Sequence, residues 1–289
     1  MPANSSELYG VFAATGKQGS ATVEALLEQG ARVRALLRRP ESDEAKALEA
    51  RGVEVVLADP DRPETLQPAM DGVDALWFMT TMNTPAGPAG EAPMAKALGD
   101  AAVVAGVGRL VFSSVDGAER SSGVPHFESK YDAEQYLRQL PIGLSVVRPV
   151  FFMENLPWMT AVQDTETVLR MPLPDGIPLQ MVAVRDVGRI AAAALLDPEA
   201  VSGGALGVAG DELTGSEIAS VLGAANGAPG RYEAQPLESL AGQEDSLAMF
   251  RWFGQLPAYQ GDFEATNALA RGALALEDWA AAGGLNPAR

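Results

Sequence analysis

The sequence predicts a doubly wound α/β fold, a parallel sheet covered by helices on both faces, followed by a smaller α+β lobe. Three observations predict it. Short apolar runs alternate with amphipathic stretches through the first half of the chain. A glycine-containing turn follows the first run and opens a helix. The runs are almost continuously apolar, which suits strands buried on both faces rather than one.

Taken in order, 8–14 is the first apolar run. After the turn Thr15-Gly16-Lys17-Gln18-Gly19, residues 20–29 carry Ala21, Val23, Ala25, Leu26 and Leu27 as a helical face. The unit then repeats, with strands at 32–37, 53–57 and 75–79, helices at 42–50 and 64–70, and Gly30 and Gly52 where helix C-caps are wanted. A helix at 92–105, a strand at 109–115, a helix at 127–139 and a strand at 143–147 complete six strands. The rhythm breaks after Arg148-Pro149, where Pro157, Pro172, Pro174 and Pro178 are closely spaced. Residues 1–148 therefore read as the first domain and 149–289 as the smaller lobe. The helical stretch 186–196, with Asp186 as N-cap, is expected to pack back on the first domain, and 224–230 reads as a surface loop.

Composition narrows the chemistry. Of 289 residues 47% are hydrophobic and 20% charged, the balance of a globular protein. The absence of cysteine removes disulfides, thiolate metal sites and cysteine nucleophiles, and a single histidine, His126, excludes a histidine-rich metal centre. A formal charge of -17 opposes binding to nucleic acid and to anionic lipid. The start lacks a signal-peptide pattern, and the longest apolar stretch, 101–107, is too short to span a bilayer, so a cytoplasmic protein is expected.

The turn Ala13-Ala14-Thr15-Gly16-Lys17-Gln18-Gly19 offers backbone N–H groups and a helix start to a pyrophosphate, with Ala13 where a G-x-x-G-x-x-G pattern begins with glycine. A packing turn is the other reading. About twenty residues on, the second strand ends in Arg38-Arg39, with no acid to hold a ribose 2′-hydroxyl. This favours NADP(H), with NAD(H) the weaker alternative, unless both arginines simply pair with Glu41, Asp43 and Glu44. Ser113 and Ser114 end the fifth strand, either to meet substrate or to tie the strand down. Phe151, Phe152, Met153, Trp158 and Met159 are either core or the wall of a flat pocket.

The segment His126-Phe127-Glu128-Ser129-Lys130 has the spacing of a tyrosine–lysine dehydrogenase pair with histidine in place of tyrosine, and neither Tyr131 nor Tyr136 restores the pair. His126 and Lys130 are the candidate catalytic residues, although a histidine at a helix start also serves as a cap or surface group. With VFAATGKQG at 11–19, VRALLR at 33–38, LVFSSV at 110–115, FESKY at 127–131, RPVFFMENL at 148–156 and LEDW at 276–279, the chain resembles the NmrA-like family, atypical members of the extended short-chain dehydrogenase superfamily.

The resemblance implies a Rossmann lobe with the dinucleotide over 13–19 and Arg38 at the adenosine phosphate. It places Asp59 beside the adenine, Thr80 and Thr81 beside the nicotinamide ribose, Lys96 and Lys130 along the cofactor, and Phe151, Phe152 and Asn155 near the nicotinamide. It also implies two functions: reduction of a quinone or planar carbonyl or aromatic compound without the usual tyrosine acid, or non-catalytic redox sensing. The partners expected are the dinucleotide, a flat small molecule, and a partner protein or second copy of the chain.

Overall fold

The computed structural model describes residues 6–285. Its first half runs β1 (Leu8–Phe12), α1 (Lys17–Glu28), β2 (Arg32–Leu37), α2 (Asp43–Glu49), β3 (Glu54–Leu57), α3 (Leu66–Met70), β4 (Ala75–Met79), α4 (Glu91–Ala105), β5 (Arg109–Ser113), α5 (Pro125–Leu137) and β6 (Gly143–Pro149). Side chains on a strand point alternately to opposite faces, and here both sets are buried. Tyr9, Val11, Ala75, Trp77 and Val111 enter one core, while Leu8, Phe12, Leu76, Phe78, Leu110 and Phe112 enter the other. That explains the unbroken apolar runs. Gly30 and Gly52, just beyond α1 and α2, take the positive φ expected of residues that end helices.

The second half runs β7 (Phe151–Phe152), α6 (Leu156–Met159), β8 (Thr160–Gln163), β9 (Glu166–Met171), β10 (Leu179–Val182), α7 (Val184–Leu196), β11 (Ala205–Val208), β12 (Asp211–Leu213), α8 (Gly215–Ala225), β13 (Gly230–Ala234), α9 (Glu244–Phe253), α10 (Phe263–Ala270) and α11 (Leu276–Ala281). Two three-stranded sheets, β12-β10-β7 and β13-β9-β8, form here. The central sheet has the order β3-β2-β1-β4-β5-β6-β11 and is parallel throughout.

The seventh strand was not expected from the sequence. β11 returns from the second half to pair with β6 from Ala205 to Val208. As expected, α7 packs along α1. Its start differs from expectation: Ala183 is the N-cap, and Asp186 lies within the first turn, fully buried. The cap is supplied from elsewhere, because both carboxylate oxygens of Glu154 accept the Val184 N–H at 3.0 Å. Asp186 instead accepts the Leu274 N–H at 2.8 Å, tying α7 to the segment before α11.

Candidate functional site

From β1 the chain winds outward through β2 and β3, then returns to place β4 on the other side of β1. Strand order reverses there, and a crevice opens at the carboxyl ends of the strands. The turn after β1 forms its floor. Ala13 donates its N–H to the Leu36 carbonyl on β2 and its own carbonyl accepts the Gly16 N–H at 2.9 Å. Ala13 has φ 53°, a left-handed conformation that strains alanine by about 1–2 kcal/mol relative to glycine, so the methyl group is carried at a cost in this turn.

The two glycines of the turn have different duties. A Cβ on Gly19 would lie 2.2 Å from the Ala13 carbonyl oxygen and 2.9 Å from the Ala14 Cα, so α1 can start against the turn only with glycine. A Cβ on Gly16 would meet just one neighbour, the same carbonyl at 3.3 Å, and its φ of -79° suits any residue. Packing requires Gly19. Gly16 leaves the turn open on its outer side, the shape a pyrophosphate needs.

Beside the turn lies a cavity of about 380 Å³ walled by Ala13, Thr15, Gly16, Arg38, Arg39, Ser42, Glu44, Met79, Thr81 and Met94, among others. Arg38 is exposed and only loosely paired, its Nε 3.8 Å from Asp59 and a terminal nitrogen 4.0 Å from Asp61. Asp59, at the end of β3, is held more closely by Arg62 at 3.2 Å. Glu44 sits below the ordinary carboxylate range because backbone and Ser42 hydrogen bonds favour its ionised form. Arg39 joins Arg38 in the wall, and Ser42, which motif reasoning did not single out, joins it because β2 and the start of α2 bend round the same space.

Toward β5 and β6 the remaining expected residues separate. Gln18, in the first turn of α1, accepts a 2.6 Å hydrogen bond from the Ser113 hydroxyl, and exposed Lys17 donates to the Glu154 carbonyl at 3.3 Å. Ser114 is buried, and its hydroxyl has no hydrogen-bond partner among the described residues. Such an orphan leaves a donor and an acceptor unused just beyond the end of a central strand. Ala14 is fully buried in the core, and Phe151 is buried with its ring edge-on to Phe253, so Phe151 packs inward. Phe152 and Asn155 are half-buried on the connection to α6. Lys96 stands apart: it is exposed on α4, with its ammonium 5.1 Å from the centre of the Tyr136 ring.

Lys130 does not stand free. Its ammonium reaches Glu91 at 2.6 Å and the Thr80 carbonyl and hydroxyl at 3.1 Å each, while the Thr80 hydroxyl donates to Glu91 at 2.7 Å. One helical turn earlier, His126 Nδ1 lies 2.7 Å from one oxygen of Asp245, and the His126 N–H donates to the other at 3.0 Å. Burial pushes the Asp245 carboxyl up, but its hydrogen bonds and charge interaction with His126 outweigh that and hold it below its ordinary value. Glu154 goes the other way, raised by burial that the Val184 and Trp279 N–H groups only partly offset. Glu91, Asp245 and Glu154 went unnoticed in the sequence, where each is one acid among 38 and its partner lies far along the chain.

Of the apolar group after Arg148, Met153 is fully buried whereas Trp158 is 79% exposed. Trp158 borders a larger cavity of about 480 Å³ between α1, α6 and α7, whose walls include Lys17, Glu24, Glu154 and Arg189. Among the described residues no group of histidine, aspartate and glutamate could hold a metal ion, and no helix is long and apolar enough to cross a membrane.

The fold is shared with known proteins. An NAD(P)H azoreductase of Xenophilus azovorans is 34% identical over 229 residues, covering 79% of this chain and 77% of that protein. The crystal structure of NmrA, a negative transcriptional regulator, in complex with NADP superposes with a TM-score of 0.81 at 21% identity, covering 96% of this chain and 95% of that one. An NADPH-dependent quinone oxidoreductase of Escherichia coli, complexed with NADPH, superposes with a TM-score of 0.79 at 21% identity, covering 95% and 99%. At these identities the two structures establish a common fold. The description of the NmrA-like family matches residues 6–280, nearly the whole chain, and the protein belongs to that family.

Proposed function

We propose that the protein is an NADP(H)-dependent oxidoreductase that delivers hydride to a flat, activated acceptor such as a quinone or another planar aromatic or carbonyl compound. The observation that carries this reading is the crevice at the strand-order reversal, where open Gly16 and the paired cations Arg38 and Arg39 border one cavity. Two features support a dinucleotide there: a turn open to a pyrophosphate and two arginines suited to a 2′-phosphate. NAD(H), lacking that phosphate, binds more weakly in this reading. The azoreductase relative, whose name gives NAD(P)H-dependent reduction of an azo compound, supports the same class of reaction.

The cofactor supplies the hydride, and the protein binds, orients and shields. Thr15 and Gly16 hold the phosphates, Arg38 and Arg39 the adenosine phosphate, and Thr81 the ribose side of the cavity. His126 Nδ1 is held by Asp245 and the Lys130 ammonium by Glu91, and no tyrosine stands at the acid's position, so this reading favours an acceptor that needs no enzyme acid. A quinone suits such a site, because hydride plus one proton from water gives the hydroquinone without an enzyme acid.

The test is consumption of NADPH with a panel of quinones, an aromatic azo dye and simple ketones. Turnover with quinones or the dye well above that with ketones is expected. Robust turnover of simple ketones or secondary alcohols, abolished by His126→Phe, would contradict this reading.

A further inference from the structure

We propose that Glu44 sets how strongly the crevice prefers a 2′-phosphate, acting against Arg38 and Arg39 so that NADH stays usable beside NADPH. The inference rests on the reading of the crevice as the dinucleotide site and deepens it. Among the described residues Glu44 is the one carboxylate in the wall of the 380 Å³ cavity, where it stands with both arginines and Ser42. Asp59 and Asp61 approach Arg38 at 3.8 and 4.0 Å but are not part of that wall.

Local sequence puts the acid there. Ser42 is the N-cap of α2, its hydroxyl accepting the Ala45 N–H at 3.2 Å, and Asp43 and Glu44 follow in the first turn, where the helix dipole favours acids. β2 ends at Leu37, so Arg38 and Arg39 leave the strand just before α2 begins, and the turn between them gathers two cations and one acid round the same space. Asp43 is drawn off by Lys46 at 2.9 Å. Glu44 is not: a backbone N–H and the Ser42 hydroxyl donate to it, and the Arg39 charge attracts it, so it stays ionised at neutral pH.

Each of these contacts works against a 2′-phosphate. The carboxylate repels the phosphate dianion, competes for Arg39 and engages the Ser42 hydroxyl, a donor in the same wall. The neutral 2′-hydroxyl of NAD(H) is neither repelled nor deprived of an arginine. Glu44 is exposed, so solvent and salt screen it. Across a water-filled cavity of this size, one unit charge facing a dianion changes affinity by roughly three- to tenfold.

Calorimetric titration of NADP and of NAD into the full chain, as parent, Glu44→Gln and Glu44→Lys, tests this at about 0.05 and 0.5 M salt. At an exposed position Glu44→Gln should move the melting temperature by less than about 3 °C, which checks the fold. At low salt it should bind NADP roughly three- to tenfold more tightly than the parent, with NAD changed by less than about twofold. At the higher salt the gain should shrink to about twofold or less. Glu44→Lys, which adds a third cation to the wall, should tighten NADP further.

Unchanged or weakened NADP binding in both variants would overturn the proposal. So would equal tightening of both dinucleotides, because the charge would then act on the pyrophosphate they share, and so would a gain that salt leaves untouched. Weakening of NAD by about tenfold or more in Glu44→Gln would overturn it as well, since the acid would then be a ligand of the ribose hydroxyl. A parent protein that binds neither dinucleotide would refute the proposed function itself, whereas absence of the Glu44 effect with parent binding intact refutes this inference alone.

Discussion

Gly16→Val and Gly19→Ala separate what the turn does for the fold from what it does for a ligand. At Gly16 the backbone is extended, at φ -79° and ψ 167°, which valine tolerates, and the added Cβ meets only the Ala13 carbonyl at 3.3 Å. The cost to the fold is about 1 kcal/mol, from replacing glycine at a helix N-cap by a poorer capping residue. The valine methyls, however, occupy the space a pyrophosphate needs. Losing even one charge-assisted hydrogen bond of about 1.5–3 kcal/mol weakens binding by roughly ten- to a hundredfold, and exclusion of the phosphate abolishes it.

At Gly19 even one methyl group lies 2.2 Å from a backbone oxygen, a clash no rotamer relieves. The expected loss is about 1–3 kcal/mol, or roughly 3 to 10 °C in melting temperature. The assay is thermal unfolding of parent and variants with and without NADP at about a hundred times its dissociation constant. At that concentration binding contributes about 2.7 kcal/mol, a rise of roughly 5 to 10 °C for a chain of this size. The parent should show the full rise, Gly16→Val a near-parent melting temperature and no rise, and Gly19→Ala a lowered melting temperature. If Gly16→Val kept the rise, the phosphate would be held elsewhere. If Gly19→Ala were as stable as the parent, the close approach of α1 to the turn would be wrong.

Three further outcomes follow from other parts of the site. Arg38→Ala gives up only weak pairs at 3.8 and 4.0 Å, so stability should change by less than about 0.5 kcal/mol, while NADP binding weakens roughly ten- to a hundredfold and NAD binding stays almost unchanged, as read by calorimetric titration. His126→Phe should lower the melting temperature by leaving Asp245 with only the backbone N–H of residue 126, yet change kcat with a quinone by less than about tenfold; a greater loss would return the acid's role to the histidine. The third concerns pH. Asp245 is held below its ordinary value of 3.8, so its contribution to stability is complete above that pH and lost as the pH falls beneath it; Asp245→Asn should remove that part of the acid limb. Glu154 is raised above 4.5, so its ionisation takes stability away as the pH rises through its folded value. Glu154→Gln should flatten that decline in a pH series of unfolding curves.

Local pattern carries the first half of the fold. Periodicity and glycine placement locate β1 to β6 and α1 to α5, because each βαβ unit buries its own apolar face against its neighbour in sequence. β11 escapes the same reading: it is four residues long, mostly half-buried, and becomes a strand only because β6 offers an open edge more than fifty residues earlier in the chain. The cap of α7 shows the same limit. Asp186 looks like an N-cap in isolation, but Glu154, 30 residues away, reaches the helix start and frees Asp186 to hold Leu274.

At the site, the turn 13–19 and Arg38 are legible because phosphate binding needs a local backbone shape and a nearby cation. The environment of Lys130 is not. A glutamate at the start of α4 reads as a solvated helix-start acid, and only the packing of α4 against α5 buries it beside the ammonium. His126 likewise acquires its meaning from Asp245, 119 residues away. Spacing identifies which residue stands where tyrosine or lysine would, whereas the tertiary partners decide whether that residue is free to act.

The central claim is that the crevice at the end of β1 and β2 binds NADP(H) and distinguishes it by the 2′-phosphate. Calorimetric titration of the parent protein with NADP and with NAD tests it most directly. One NADP site per chain, at least about tenfold tighter than NAD, is the predicted result, since the extra phosphate adds a charge-assisted contact of about 1.5–3 kcal/mol. Equal affinities for the two dinucleotides, or no binding of either, would contradict it.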